Sequence, residues 1–462
     1  MVVGEFTQDT DLLVIGGGPG GHSAAFRAAK LGIQTTIVES RGPLGGVCLH
    51  CGCIPSKTLL SIAELIAAAE HGKEFGVSFG KPKIELDGVR GWKNGVVDKL
   101  AKGLDSVAKK LGIERVKGLA RFEDNKHVAI TGGDVPRIKF KRAIVATGSK
   151  PIVLKGIQID SPRVWDSTSA LTVEEVPKRL LVVGGGYIGL ELGAVYATLG
   201  SEVTVVEMLD SLLPGCDADL VKPLAKRMEK LLHEICLKTR VVKMKDTGKT
   251  VEVDFEGESQ PKEKQFDRVL VAVGRTPNTD GLGLERTGVK VERGFIQVDA
   301  QFRTADPKIF AIGDVIGNPM LAHKAIHEGH VCAEAIAGRN VLFDRRTIPA
   351  VVFTDPEIAW CGLTEAEAKS KGIKHEVRKM QWVASGRAVS IGRTDGLTKI
   401  LFDPDSQRVL GVGITGAHAG EMIAEGALAI EMGAVATDLA ETIHPHPTLS
   451  ETVYEVAESM RH

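Results

Sequence analysis

An α/β fold with two similar strand–helix–strand halves is what the sequence predicts, on three observations. One pattern occurs twice, as "DLLVIGGGPGGHSAAFRAAKLGIQTTIVE" from Asp11 and "RLLVVGGGYIGLELGAVYATLGSEVTVVE" from Arg179. Apolar runs that end in glycine, "RAIVATGS" and "RVLVAVGR", stand before and after the second copy. Glycine is abundant at 53 residues while aromatics reach only 5%, which suits tight turns and α/β packing better than a β-sandwich.

Each copy reads as an apolar strand, a GxGxxG turn, an Ala-rich helix closed by Leu-Gly, and a second strand ending in glutamate. The turns are Gly16, Gly18, Gly21 and Gly184, Gly186, Gly189, and the acids are Glu39 and Glu207, at the same offset in both copies. Glycine lets the backbone turn tightly and approach a pyrophosphate, which rests on the helix N-terminus, and the acid is placed for a ribose diol. The prediction is therefore two Rossmann-like dinucleotide-binding domains. Two such sites in one chain imply electrons passing between two cofactors. After Glu207 come Met208, Leu209 and Asp210, with no arginine to meet a 2′-phosphate, which favours NAD over NADP. The first site then needs a different dinucleotide, and FAD is the natural candidate. The flanking runs read as one domain left, a second inserted and the first resumed. "IFAIGD" adds another buried strand ending at Asp314, an acid placed for a sugar-like hydroxyl.

The bulk properties agree. At 462 residues the chain suggests about three domains. A net charge of −1, from 58 basic and 59 acidic residues, gives no electrostatic case for nucleic acid or an anionic membrane. The start "MVVGEFTQDT" lacks the basic and apolar regions of a signal peptide, and no apolar run is expected to approach a membrane span. Seven cysteines, four of them isolated (Cys216, Cys236, Cys332, Cys361), argue against a secreted disulfide framework. A cytoplasmic protein with a few working thiols is expected.

"GGVCLHCGCIPSK" concentrates three of those thiols. Cys48 with Cys51 has CxxC spacing, shared by thioredoxin-type motifs and half zinc sites. Cys51 and Cys53 point to different faces of a helix. Cys48 and Cys53 would lie roughly 8–9 Å apart, Cα to Cα, in a regular helix, beyond the roughly 7 Å a disulfide tolerates. That pair can bridge only if the backbone departs from helix, which Gly45, Gly46 and Gly52 permit. Beyond Pro55, "KTLLSIAELIAAAE" has helical periodicity, so Cys53 sits near a helix N-terminus whose dipole favours thiolate. Zinc is the rival, since Cys48, His50, Cys51 and Cys53 are all possible ligands. Four donors within six residues would wrap a tetrahedron poorly, and no metal is expected.

The segment GGVCLHCGCIPSK, the two repeats, IFAIGD, "PMLAHKAIHEGH" and "HPHPTLSE" together resemble the dihydrolipoamide dehydrogenase family, flavoprotein disulfide reductases that serve 2-oxo acid dehydrogenase complexes. The resemblance runs over essentially the full length. It implies FAD and NAD domains plus a C-terminal α+β dimerisation domain, with 1–150 and 273–345 binding FAD, 151–272 binding NAD and 346–462 forming the interface. It also implies a homodimer, a lipoyl-bearing carrier protein as partner, and a redox disulfide between Cys48 and Cys53. His50 and Cys51 stand where the family usually has Asn and Val. The extra thiol is either an inert neighbour or able to exchange into the disulfide.

Further roles follow from the same resemblance. His446 lies between Pro445 and Pro447 with Glu451 following; the residues alone read as a rigid turn or as an acid–base pair. The resemblance makes His446 the acid/base and Glu451 its orienting partner, supplied across the dimer interface. Lys57 and Glu191 match the family's ion pair beside the flavin. Gly16, Gly18, Gly21, Glu39, Ser40, Gly45, Gly46, Val47, Lys57, Ala120, Thr147, Gly148, Asp314 and Ala322 match FAD contacts. Gly184, Gly185, Gly186, Tyr187, Ile188, Gly189, Glu207, Val241, Gly274 and Arg275 match NAD contacts. His323, His327 and His330 share a helix face and are read as flavin-side packing and surface. A mercuric reductase should end in a cysteine pair, whereas this chain ends "EVAESMRH". Glutathione-type reductases should carry arginines near Glu207. From outside the class, a FAD-binding redox sensor using Cys51 is the alternative.

Overall fold

The computed structural model describes residues 7–461, which divide into two compact units. The first comprises Met1–Thr58, Asp87–Ile152 and Gly274–Asp344. Its sheet is parallel at the centre, with strand Thr7–Ile15 between Thr35–Glu39 and Arg137–Val145, and Glu114–Lys117 outside Thr35–Glu39. On its other edge the long strand Arg137–Val145 serves two further partners. Its first residues pair antiparallel with His127–Thr131, and its last three pair parallel with Ile309–Ala311. The strand of "IFAIGD" thus returns to the first repeat's sheet, as the punctuation predicts.

Parallel strands covered on both faces read as continuous apolar runs, and Leu12, Leu13, Val14 and Ile15 are all buried. Each such side chain contributes about 1.5–3 kcal/mol relative to exposure. One covering layer pairs helix Pro19–Lys30 with helix Ala322–Ile336. They meet through small residues, Gly20 against Ala325 and Gly329 against Ala24, which brings the start of the second helix beside the first glycine turn.

The second unit comprises Leu59–Leu86, Val153–Val273 and Arg345–His462. Its parallel sheet runs Glu234–Cys236, Glu202–Val206, Arg179–Val183, Arg268–Val271, Val164–Trp165. An antiparallel sheet of Ala350–Val352, Glu357–Gly362, Val409–Gly416, Leu397–Phe402 and Glu376–Gln381 follows. Helices Ala419–Met432 and Glu451–Glu458 pack on it, around Trp382, Phe402, Ile414, Ile423 and Val453.

The first glycine of each turn is fixed by its surroundings. Gly16 has φ +104° and a Cβ there would lie 2.3 Å from the Ala146 carbonyl oxygen; Gly184 has φ +112° and 2.6 Å from that of Ala272. No L side chain fits either position. By length and composition alone one helical stretch, Gly46–Phe75, is apolar enough to cross a membrane, a test that the core helix of a water-soluble fold also passes. Helices Gly46–Cys51 and Cys53–His71 join with only Gly52 between them, so the apolar run is longer than either.

Candidate active site

The two glycine turns are held by the same bonds. Glu39 Oε2 accepts from the Gly17 N–H at 2.7 Å and its Oε1 from the Arg41 N–H at 2.9 Å. Glu207 Oε2 accepts from Gly185 at 2.7 Å and its Oε1 from Leu209 at 2.9 Å. Each acid is buried and ties the end of its strand to the turn. The helices that follow, Pro19–Lys30 and Tyr187–Leu199, start at Gly18 and Gly186 with no side-chain cap. Helix Ala322–Ile336 likewise starts uncapped at Leu321. Uncapped N–H groups at a glycine turn suit a phosphate. A Cβ at Gly46 would lie 2.6 Å from the Gly18 Cα, so the redox segment approaches the first turn backbone to backbone. Both turns fit a dinucleotide.

The cysteine segment is two helices. Gly52, at φ −150° and ψ −116°, ends Gly46–Cys51, and Cys53 begins the next helix. This departure from regular helix brings the Cys48 and Cys53 sulfurs into hydrogen-bond contact. All seven cysteines are thiols, Cys48 half-buried and Cys53 exposed. The bond to Cys53 and burial push the Cys48 thiol far above the usual range, against the nearby Lys57 charge, which lowers it. The two sulfurs of the reduced pair therefore do not both ionise. The remaining donors turn elsewhere. Buried Cys51 receives Arg41 Nη1 on its sulfur at 2.8 Å, and His50 Nε2 lies 2.8 Å from the Leu44 carbonyl oxygen. Among the described residues no group of three or more His, Cys, Asp or Glu could hold a metal. His327 and His330 stack edge to face, and burial followed by His327 lowers His330.

At the other end of the chain, His446 Nδ1 and Glu451 Oε1 are 2.8 Å apart, with 80% of the imidazole side chain exposed. The Thr448 N–H, donating to Oε2 at 2.8 Å, and then His446 hold the Glu451 carboxyl below its ordinary range. A second pair was missed from sequence: His444 Nε2, in the same segment, and Glu425 Oε1, on helix Ala419–Met432, are 2.7 Å apart, with the imidazole 6% exposed. Burial tells the two apart, and spacing cannot.

Glu191 is buried and accepts the Phe353 N–H at 3.0 Å. Thr147 and Asn278 exchange two bonds, Oγ1 to the Asn278 carbonyl at 2.7 Å and Nδ2 to the Thr147 carbonyl at 2.9 Å. Asp314 lies in the turn Gly313–Ile316, where Ser149 Oγ donates to it. Arg275 is engaged with Ser149 as well. Val241 is buried in the core and Ala120 in the first sheet, so each has only backbone to offer a ligand. Tyr187, 41% exposed, opens its helix.

The chain as a whole is similar to known proteins. The pattern for "Pyridine nucleotide-disulphide oxidoreductase" matches residues 10–329, and that for the corresponding dimerisation domain matches 348–457. The chain is 50% identical over 455 residues to dihydrolipoyl dehydrogenase of Haemophilus influenzae, covering 97% of this chain and 94% of that one. It is 47% identical to the dihydrolipoyl dehydrogenase of Thermus scotoductus, covering 97% of each. Among solved structures, the HOCl-induced flavoprotein disulfide reductase RclA from Escherichia coli superposes with a TM-score of 0.86 at 28% identity, over 97% of this chain and 99% of that one.

Proposed function

The chain belongs to the pyridine nucleotide-disulphide oxidoreductase family, and from that premise we propose that it is a dihydrolipoyl dehydrogenase, oxidising protein-bound dihydrolipoyl groups and reducing NAD. The observation that carries this reading is the meeting of Cys48 and Cys53 across the Gly52 break, at the start of a helix. The redox disulfide is that pair in its oxidised form.

Gly16, Gly18, Glu39, Gly45–Gly46 and Asp314 would hold FAD, and Gly184, Gly186, Glu207 and Gly274 would hold NAD. When bound, these groups accept the electron pair, the flavin relaying it from the thiols to the nicotinamide. The chain's own residues do the rest. His446 of a second copy, held through Nδ1 by Glu451, takes the proton from a substrate thiol. The substrate sulfur bonds to Cys48 as the Cys48–Cys53 bond breaks, leaving Cys53 as thiolate. The second substrate sulfur, giving up its own proton to the enzyme pair, then displaces Cys48, releasing the lipoyl disulfide and leaving both cysteines reduced with one proton between them. Lys57 and Glu191 are assigned to the flavin side of the pair. Lys57 already bears on Cys48 electrostatically, and Glu191 is anchored by the Phe353 N–H.

Met208, Leu209 and Asp210 after Glu207 support NAD over NADP. The dimerisation domain supports a homodimer. The lipoyl carrier, the cytoplasmic location and the four-segment division at 150, 272 and 345 belong to the same proposal. The test is turnover of purified protein on lipoyl-domain substrates with NAD and with NADP. NAD-linked turnover that disappears in Cys48→Ser and in Cys53→Ser is expected. Activity that survives either substitution, or that appears only on a non-lipoyl disulfide, overturns the reading.

A further inference from the structure

The turn that carries Asp314 is held from two sides. On one side, Ser149 Oγ donates to Asp314 Oδ2 at 2.5 Å. Arg275 Nε donates to that same serine oxygen at 2.7 Å, and its Nη2 donates to the Ser149 carbonyl at 2.7 Å. On the other side, Glu328 Oε2 accepts from the Gly313 N–H at 2.7 Å and its Oε1 pairs with Lys324 Nζ at 2.7 Å. Lys324 also reaches the Gly317 carbonyl at 3.4 Å. Ser149 is 2% exposed and Glu328 1%. The turn Gly313–Ile316 is thus clamped at both ends by a buried ion pair, and its acid is gripped by a buried hydroxyl.

The direction of the first chain is forced. A guanidinium can only donate, so the Ser149 oxygen accepts from Arg275, and its single hydrogen goes to Asp314. Asp314 is thereby committed as an acceptor at Oδ2, which leaves Oδ1 to accept from a ligand hydroxyl. Ser149 and Arg275 also stand on the two strands, Ser149–Pro151 and Arg275–Pro277, where the chain leaves and re-enters this unit.

We propose that Ser149, fixed by Arg275, is a positioning residue for the bound dinucleotide: it locks the Asp314 carboxylate in the orientation that receives a polyol hydroxyl of FAD. The proposal rests on the reading of Asp314 as a FAD contact. A carboxylate already held in one rotamer loses less freedom when the ligand binds. Losing the Ser149 hydroxyl takes from the carboxylate the donor that holds it in that rotamer.

The experiment measures FAD release from diluted holoenzyme by the rise in flavin fluorescence, alongside the visible spectrum of the bound flavin and the far-UV circular dichroism of the holoenzyme. Ser149→Ala is expected to release FAD about tenfold faster or more, with a shifted flavin spectrum and an unchanged circular dichroism. Ser149→Thr, which keeps the hydroxyl, should restore the wild-type rate. Ser149→Cys fills the same space with a weak donor, should release faster than Thr, and keeps the test open if the alanine variant does not fold. Wild-type release from Ser149→Ala and Ser149→Cys, while Asp314→Asn releases faster, overturns the proposal. Equal release from the Thr and Ala variants, or faster release only together with an altered circular dichroism, overturns it too. Wild-type release from Asp314→Asn overturns the underlying reading of Asp314.

Discussion

In the first repeat the Gly17 carbonyl accepts from Gly45 at 2.8 Å while Leu44 packs beneath the turn; in the second, the Gly185 carbonyl accepts from Leu213 at 3.0 Å and Leu212 lies beneath. Counting on from these leucines, each copy reaches a cysteine at the same offset, Cys48 and Cys216. There the copies part. After Cys48 the chain is already helical, breaks at Gly52 and restarts at Cys53, so a second sulfur meets the first. After Cys216 comes Asp217, whose buried carboxylate pairs with Lys399 Nζ at 2.6 Å and accepts from the Glu365 and Ala366 N–H groups. Burial and then Asp217 push the Cys216 thiol up to about 12. The same backbone device ends in a redox pair in one copy and in an ionic anchor for the C-terminal sheet in the other. The turn supplies a place, and the residues just beyond it decide the chemistry.

The sharpest way to break this contrast is to remove each sulfur. Cys48→Ser and Cys53→Ser should each cut lipoyl-dependent turnover by about 10³-fold or more, whereas Cys216→Ser should leave it within about twofold. Steady-state rates check this, and a large loss in Cys216→Ser would undo the distinction. Thiol labelling reads it chemically. With a pKa of about 12, Cys216 is thiolate to roughly one part in 10⁴ at pH 8. Its alkylation should be far slower than that of Cys53 in the reduced enzyme and should keep accelerating as pH rises toward 12.

Next come the acids. Glu207→Gln should raise the KM for NAD about tenfold while flavin content stays at one per subunit. Glu39→Gln should do the reverse, loosening the flavin with little change in the KM for NAD. If either substitution affects both ligands, the repeats are not separate sites. The smallest effect is expected from Cys51→Val. Its sulfur is buried against Arg41 rather than Cys48, so turnover should change by less than about twofold. A larger change would show that the third thiol exchanges with the pair.

Much of this was legible from sequence because it is local or periodic. The glycine turns, the acids closing the second strands, the return of the chain at "IFAIGD" and a helix starting at Cys53 all depend on residues close together in the chain. The cysteine pairing was only half legible. Spacing favoured Cys48 with Cys51, and the pair that meets does so because Gly52 takes a non-helical conformation that spacing does not encode. The bonds from Ser149 to Asp314, 165 positions apart, and from Asp217 to Glu365, 148 apart, join segments that only the fold brings together. Lys324 and Glu328 form an i,i+4 pair, and only their burial, which spacing does not encode, turns a commonplace surface pair into a clamp on Gly313.

The ladder of Ser149–Pro151 with Arg275–Pro277 closes on a bond from the Ile152 N–H to the Gly274 carbonyl at 3.1 Å. Chain exit and chain return are therefore stitched together before any of Val153–Val273 is reached. A neck of this kind works as a socket. Whatever the length of the segment beyond it, the strands of the first sheet on either side stay joined through this short ladder.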